Sequence, residues 1–290
     1  MSLKPWILAA RPKTLTAAAA PVIAGAAAAA GDGLFHLRPA LLALLGATAI
    51  QVGTNFFNDA LDHEKGADTV DRLGPVRVTQ SGLIPPRRVM LAGFLSMGIA
   101  ILCGIPLVIR GGTPILVLGL VSLLLGYAYT GGPLPLAYKG LGEIFVFLFF
   151  GLAAVGGVYY LETGSLTWTP VLAGSQVGLL ATALLAVNNL RDHEEDRRTG
   201  KLTLAARFGP TFGRLEIAFL TLAPYPLGFF YLLQGKNPAA LLPLLTLPLA
   251  LTITLAVHRT PPSKTYNQYL ARTAALQLAF TLLLSAGLLF

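Results

Sequence analysis

The sequence predicts an all-α integral membrane protein with nine transmembrane helices, and three observations carry that reading. Hydrophobic residues make up 54% of the 290 residues, charged residues only 12%, and the mean hydropathy is +0.68. A soluble domain carries about 25% charge, so an ordinary cytosolic protein is excluded, and so is intrinsic disorder. The apolar runs are about 20 residues long, the length a helix needs to cross ~30 Å of hydrocarbon, not the ~10-residue alternation of an outer-membrane barrel. Finally, Pro, Gly and charge clusters break the runs at regular intervals.

In chain order the spans are 14–31, 39–60, 89–109, 114–130, 141–161, 170–190, 211–233, 239–257 and 270–290. The breaks between them include Gly31-Asp32-Gly33, Pro85-Pro86-Arg87-Arg88, Gly111-Gly112, Gly131-Gly132-Pro133, Gly209-Pro210, Lys236-Asn237-Pro238 and Pro261-Pro262. The first run follows a long segment containing Pro5 and Pro12, which reads as the start of a span rather than a cleaved leader. Of the 21 Lys and Arg, all but Arg38, Arg110 and Lys236 fall on one side of this topology. By the positive-inside rule that side is cytoplasmic. The N-terminus is then inside and the C-terminus outside, as expected for a cytoplasmic (inner) membrane protein. The net charge of +8 is thus mostly topological, and no basic stretch has the aromatic interleaving of a nucleic-acid surface. Nothing in the sequence calls for an obligate protein partner. The one cysteine, Cys103, lies in an apolar run and excludes an internal disulfide.

Nine of the 13 acidic residues fall in two short windows: Asp59, Asp62, Glu64, Asp68 and Asp71, then Asp192, Glu194, Glu195 and Asp196. Each window ends a span on the cytoplasmic side. Asn55, Asp59 and Asp62 are spaced four and three apart, and Asn188, Asp192 and Asp196 four and four, so each set forms a stripe on one helix face. Clustered carboxylates at a membrane edge repel one another and are costly to bring near hydrocarbon. A hard divalent cation removes that conflict, and Mg²⁺ typically combines one or two carboxylates with substrate phosphates. Asp59, Asp62, Asp192 and Asp196 are therefore candidate metal ligands, with Asp68 a weaker addition. Solvated pairing with nearby Arg and Lys accounts for Glu64, Asp71, Glu194 and Glu195. His63 and His193 are not in a zinc spacing. Lys65, Arg72, Arg77, Arg191, Arg197, Arg198 and Lys201 flank the acids and suit the remaining oxygens of a diphosphate. A P-loop is absent from the sequence.

At this point the sequence resembles the UbiA superfamily of membrane prenyltransferases. Asn55 to Asp68, with Asn58, Asp59 and Asp62 inside it, is similar to that family's first Asn/Asp-rich motif. The run Asn188-Asn189-Leu190-Arg191-Asp192 through Asp196 to Lys201 is similar to the second. Ala10-Arg11-Pro12-Lys13-Thr14-Leu15, Val78 to Ile84, Tyr129 to Pro133, Tyr138 to Glu143 and Tyr266-Asn267 point to the 1,4-dihydroxy-2-naphthoate polyprenyltransferase branch. The resemblance implies a single membrane-embedded prenyltransferase domain over 1–290, with its Asp-rich motifs at 55–72 and 188–201. It implies helices around a central cavity capped by cytoplasmic loops. It also implies Mg²⁺-dependent transfer from a polyprenyl diphosphate to an aromatic acid within the bilayer. On that basis Asp62, Asp192 and Lys139 are the expected catalytic residues. Asp59, Asp62, Asp68, Asp192 and Asp196 hold Mg²⁺, and Arg11, Asn55, Asn58, Arg72, Asn188, Arg191 and Lys201 bind substrate. Phe145, Phe147, Phe149, Phe150, Tyr159 and Tyr160 are expected to shield a cation or line a tunnel for the tail. A different aromatic acceptor, such as 4-hydroxybenzoate or homogentisate, stays open within the family. A secondary transporter is the alternative of a different class, disfavoured because the acids lie at one membrane face and not at its midplane.

Overall fold

The computed structural model describes residues 3–66, 73–133 and 135–290, and among these it contains helices and turns but no strand. Helix α1 (Lys4–Ala10) and a 3-10 turn (Pro12–Thr14) meet α2 (Thr16–Gly31) at a bend of 48°. Then come α3 (Leu37–Glu64) and α4 (Pro86–Ala128). A third long element combines α5 (Gly142–Val146), a π-helical stretch (Phe147–Ala153) and α6 (Ala154–Thr163). Helix α7 (Trp168–Arg198) is followed by α8 (Leu204–Leu222) and α9 (Pro224–Leu233). A 3-10 segment (Pro238–Thr246) runs into α10 (Leu247–Arg259), and α11 (Tyr266–Leu288) ends the chain.

Among the described residues, seven helical stretches are long and apolar enough to cross a bilayer, and eight if the bent α1–α2 pair is one span. The sequence reading has nine because it divides 86–128 into two, whereas α4 is one helical run with a single non-helical residue, Gly112 (φ 65°, ψ −153°). This run is folded back on itself. The rings of Phe94 and Tyr127 are 6.3 Å apart, where a straight helix would separate them by about 50 Å. Gly112 supplies the left-handed φ that the reversal needs. Phe57 of α3 wedges against both arms, with ring centroids 5.0 Å from Phe94 and 5.3 Å from Tyr127.

The core gathers around α7, whose Val177, Leu180, Ala183, Val187 and Leu190 are fully buried among residues from α2, α6, α8, α10 and α11. The perimeter is apolar too: Ile109, Leu102, Leu124, Phe219 and Leu233 are all more than 60% exposed. Water would penalise such a belt, and hydrocarbon does not. Helices α3 and α7 run to 28 and 31 residues, about 42 and 46 Å, which exceeds the hydrocarbon thickness. Their last turns therefore emerge from it at the same end of the bundle, and those turns carry the two acidic motifs.

The opposite end is held by polar staples between loops. Glu162, whose side chain is fully buried, accepts from the backbone N–H of His36 (2.9 Å), and its carboxylate also lies 3.0 Å from the His36 ring and 3.9 Å from Arg110. Asp32 accepts from Lys236 (2.9 Å) and from the hydroxyl of Tyr159 (2.7 Å). Burial of Asp32 opposes ionisation, yet these partners hold its carboxyl below the usual range. Tyr159 is thus committed to a loop anchor in the core and does not face a cavity.

Candidate active site

A polar chamber of about 160 Å³ opens where the ends of α3 and α7 approach each other. Arg11, Asn55, Asn58, Asp62, Asn188 and Lys201, six of the residues singled out in the sequence, line it together with Arg77, Tyr129, Thr130 and Asn189. Arg11 reaches it through backbone strain. It is the only non-glycine with positive φ (51°) among the described residues, and it precedes Pro12. That conformation closes α1, and Arg11's carbonyl accepts from both the N–H and the hydroxyl of Thr14 (2.9 Å each). Strain of this kind persists where surrounding contacts enforce it, often at functional sites.

Asp62 is 4% exposed and accepts from the hydroxyl of Tyr138 (2.9 Å) and from Nη2 of Arg77 (3.1 Å). Lys65 sits with its Nζ 4.6 Å from the centre of the Tyr138 ring and donates to the carbonyl of Thr130. Burial lowers its pKa from the ordinary lysine value, against the pull of the Asp62 charge. Lys201 also approaches this ring, 5.9 Å from its centre, and is 3.7 Å from Asp196. Tyr138 therefore joins the first acidic motif to the second. Sequence reasoning missed it as a site residue because a tyrosine in a 3-10 turn carries no periodic signal. It also left Arg77 as one flanking base among several.

The second motif is organised by Arg191, which is 2% exposed. Its Nε and Nη2 clasp both oxygens of Asp192 (2.7 and 2.6 Å), Nη2 also donates to Asn188 (2.8 Å), and Nη1 donates to Asn267 of α11 (2.7 Å). Asn267 in turn donates to the carbonyl of Leu73 (2.9 Å). The arginine anticipated as a phosphate ligand is thus a buried bracket behind the chamber. Asp192 and Asp196 stand with it, one layer back from the walls. The carboxylates all lie at helix C-termini, where the helix dipole disfavours negative charge, so Arg77, Arg191 and Lys201 offset a double penalty.

Two further residues stand away from the chamber lining. Asp59 is not among the residues that line it. It is 1% exposed, and its carboxylate accepts from the N–H groups of Val78 (3.3 Å) and Thr79 (3.0 Å) and from the Thr79 hydroxyl. It anchors the chain that brings Arg77 to Asp62. Lys139 does not face the cavity either. It is exposed, its carbonyl accepts from Arg207 (2.9 Å), and it follows the 3-10 turn that commits its neighbour Tyr138 to Asp62. Replacing Lys139 with alanine is accordingly expected to leave kcat and both KM values within about twofold, as for a surface site, measured by steady-state transfer. Asp68 and Arg72 lie outside the described residues. Among the described residues no three carboxylate, imidazole or thiol groups converge as a ready-made metal cluster. Two carboxylates completed by phosphate oxygens and water remain a normal Mg²⁺ arrangement. Asp62 fits it, because an ionised carboxylate has about four lone-pair sites and its two donors use half.

Beyond the chamber the walls turn apolar. Gln51, Thr54, Tyr129, Val146 and Phe150 are shared with a second cavity of about 130 Å³, which Phe145 and Phe149 also line. Ala47, Ile50, Ser122, Phe149 and Ala154 are shared in turn with a third of about 400 Å³ bordered by α3, α6 and both arms of α4. The π-helical stretch presents Phe149 and Phe150 together to this passage, with Phe145 stacked on Phe149 (6.1 Å). It packs tightly on α7, for a side chain on Gly151 would strike the backbone of Gly174 and Gly178. Such one-turn π insertions are frequent at functional sites.

A buried, charged chamber that continues into an apolar passage between lipid-facing helices defines an integral membrane enzyme for a substrate with an ionic head and an oily tail. The chain belongs to the UbiA prenyltransferase family, whose model matches residues 18–285. It is 36% identical to a 1,4-dihydroxy-2-naphthoate octaprenyltransferase from Haemophilus influenzae over 99% of this chain and 96% of that one. With the Escherichia coli protein of the same name it shares 40% identity over 72% of this chain and 70% of that one. In fold it is similar to a UbiA homolog from Archaeoglobus fulgidus bound to GPP and Mg²⁺ (TM-score 0.68, 16% identity, 98% of this chain and 99% of that one).

Proposed function

We propose that the protein transfers a polyprenyl group from its diphosphate to 1,4-dihydroxy-2-naphthoate, releasing diphosphate and CO₂ and giving a demethylmenaquinol. The whole chain acts as one membrane-embedded unit of the inner membrane, with its chamber and N-terminus on the cytoplasmic side. The observation that carries this reading is the junction itself: carboxylates and bases meet at Tyr138, directly above an aromatic-walled apolar passage. The names of the relatives support the choice of acceptor.

Asp62 would hold Mg²⁺ against the diphosphate, and Asp192 and Asp196, a layer behind it, would add negative charge to the site. When bound, the metal supplies Lewis-acid stabilisation of the charge that builds on the leaving group. Lys65, Arg77 and Lys201 take phosphate oxygens directly, as charge-assisted donors. Breaking the allylic C–O bond leaves a delocalised carbocation. Phe145, Phe149 and Phe150 cover it with ring faces and keep water away. The acceptor ring then attacks through the carbon bearing its carboxylate, which leaves as CO₂. The long tail partitions from water into the bilayer at about 0.8 kcal/mol per CH₂, which holds the donor at the membrane where the passage lies.

Membranes containing the protein, given labelled prenyl diphosphate and a panel of aromatic acids, are expected to release CO₂ only with the naphthoate. Excess EDTA is expected to stop transfer and added Mg²⁺ to restore it. Transfer without CO₂ release would keep the family and overturn this acceptor. Full activity in EDTA would exclude the metal.

A further inference from the structure

Among the described residues, the neck between chamber and passage contains one buried acceptor with no donor. Gln51 is nine-tenths buried, lines both cavities, and its Oε1 has no hydrogen-bond partner. The orientation of its amide follows from its neighbours. The Nδ2 of Asn55 faces the carbonyl of Ala10 (2.9 Å), an obligate acceptor, and also Thr14 Oγ1 (3.0 Å). Asn55 must therefore present its Oδ1 to Gln51, which donates to it through Nε2 (3.5 Å). That leaves the oxygen of Gln51 as the unpaired amide atom of a residue that lines the neck. Leaving such a group unsatisfied is costly, and neither expected occupant of the adjoining spaces satisfies it. A prenyl tail has no donor. A diphosphate has only acceptors, and Gln51 lies eleven residues, about 16 Å, along α3 from Asp62.

We propose that Gln51 is the specificity residue of the aromatic-acceptor subsite, accepting a hydrogen bond from a ring hydroxyl. The inference rests on the prenyl-transfer reading above and adds to it where the acceptor lies: between Gln51 and the aromatic walls, beside the head of the prenyl chain. A site built to pair a substrate hydroxyl rejects analogues that lack it far better than an apolar pocket does.

The test uses the full-length protein in membranes, with geranylgeranyl diphosphate as donor. Substrate is 1,4-dihydroxy-2-naphthoate, and competitive inhibitors are 1-hydroxy-2-naphthoate and 4-hydroxy-2-naphthoate. In the wild type, one of the two analogues is expected to bind roughly tenfold or more weakly than the dihydroxy compound. In Gln51→Met, which keeps the bulk and loses the acceptor, that preference disappears and the KM for the naphthoate rises by a similar factor. The KM for geranylgeranyl diphosphate stays within twofold. The wild-type comparison stands even if the variant fails to fold. Equal binding of all three compounds by the wild type, or an unchanged preference in Gln51→Met, overturns the inference alone. Absence of any transfer by the wild type overturns the functional reading and the inference together.

Discussion

Replacing Asp62 with alanine is expected to lower turnover by roughly 100-fold or more, with a smaller change in the KM of the naphthoate. Among the described residues, Asp62 is the one acidic side chain of either motif that both lines the chamber and meets the aromatic bridge between the motifs. On the proposed function, losing it removes the chamber-lining carboxylate that would stand by the leaving group, and electrostatic groups at a departing oxygen are typically worth factors of 10²–10³. It also takes from Arg77 the carboxylate that its buried guanidinium pairs with at 3.1 Å. Asp62→Asn separates the two effects, because it keeps an acceptor for Arg77 and Tyr138 while deleting the charge. Single-turnover transfer at saturating prenyl diphosphate, titrated with Mg²⁺, is the measurement. If Asp62→Asn turns over at the wild-type rate with an unchanged Mg²⁺ requirement, the carboxylate has no part in the chemistry.

The contrast between Asp62 and Asp59 shows where sequence reasoning stops. Both lie on one stripe with Asn55, and the 4-and-3 spacing identifies that stripe correctly. The spacing carries no information about the segment 73–84, which folds over one end of the stripe and takes Asp59 for itself. Arg77 is fifteen residues from its partner and Tyr138 seventy-six, so no local pattern could couple them to Asp62. The spans were legible for the opposite reason. Each is a long apolar run bounded by residues that break helices in any context, so local chemistry and bilayer thickness agree. Even the hairpin in α4 is marked, by Gly111-Gly112. Lys139 was misplaced because a 3-10 turn has no face that periodicity can assign. The π-helical register at Phe147–Ala153, which sets the aromatic walls, depends on contact with Gly174 and Gly178 of α7 and so is invisible to any window of sequence.

Arg191→Ala is expected to cost about 3–5 kcal/mol of stability, the range for stripping one partner from a buried ion pair. The side chain is 1% exposed and that of Asp192 7%. Without the guanidinium, both oxygens of Asp192 lose their short donors, and Asn188 and Asn267 each lose one as well. The damage spreads beyond α7, because Asn267 ties α11 to the chain at Leu73 and its orientation is set by Arg191. Lysine is a poor substitute: one ammonium cannot reproduce a planar fork that meets Asp192 through two nitrogens and Asn267 through a third. Arg191→Lys should therefore recover only a fraction of the loss. The double variant Arg191→Leu/Asp192→Leu removes both charges and should be more stable than Arg191→Ala while remaining inactive, since an apolar pair often replaces a buried ion pair without loss. Thermal unfolding in detergent, read beside prenyl transfer, distinguishes the cases. A double variant that is no more stable than Arg191→Ala would mean that the Asp192 charge deprived of Arg191 is not what destabilises the single one.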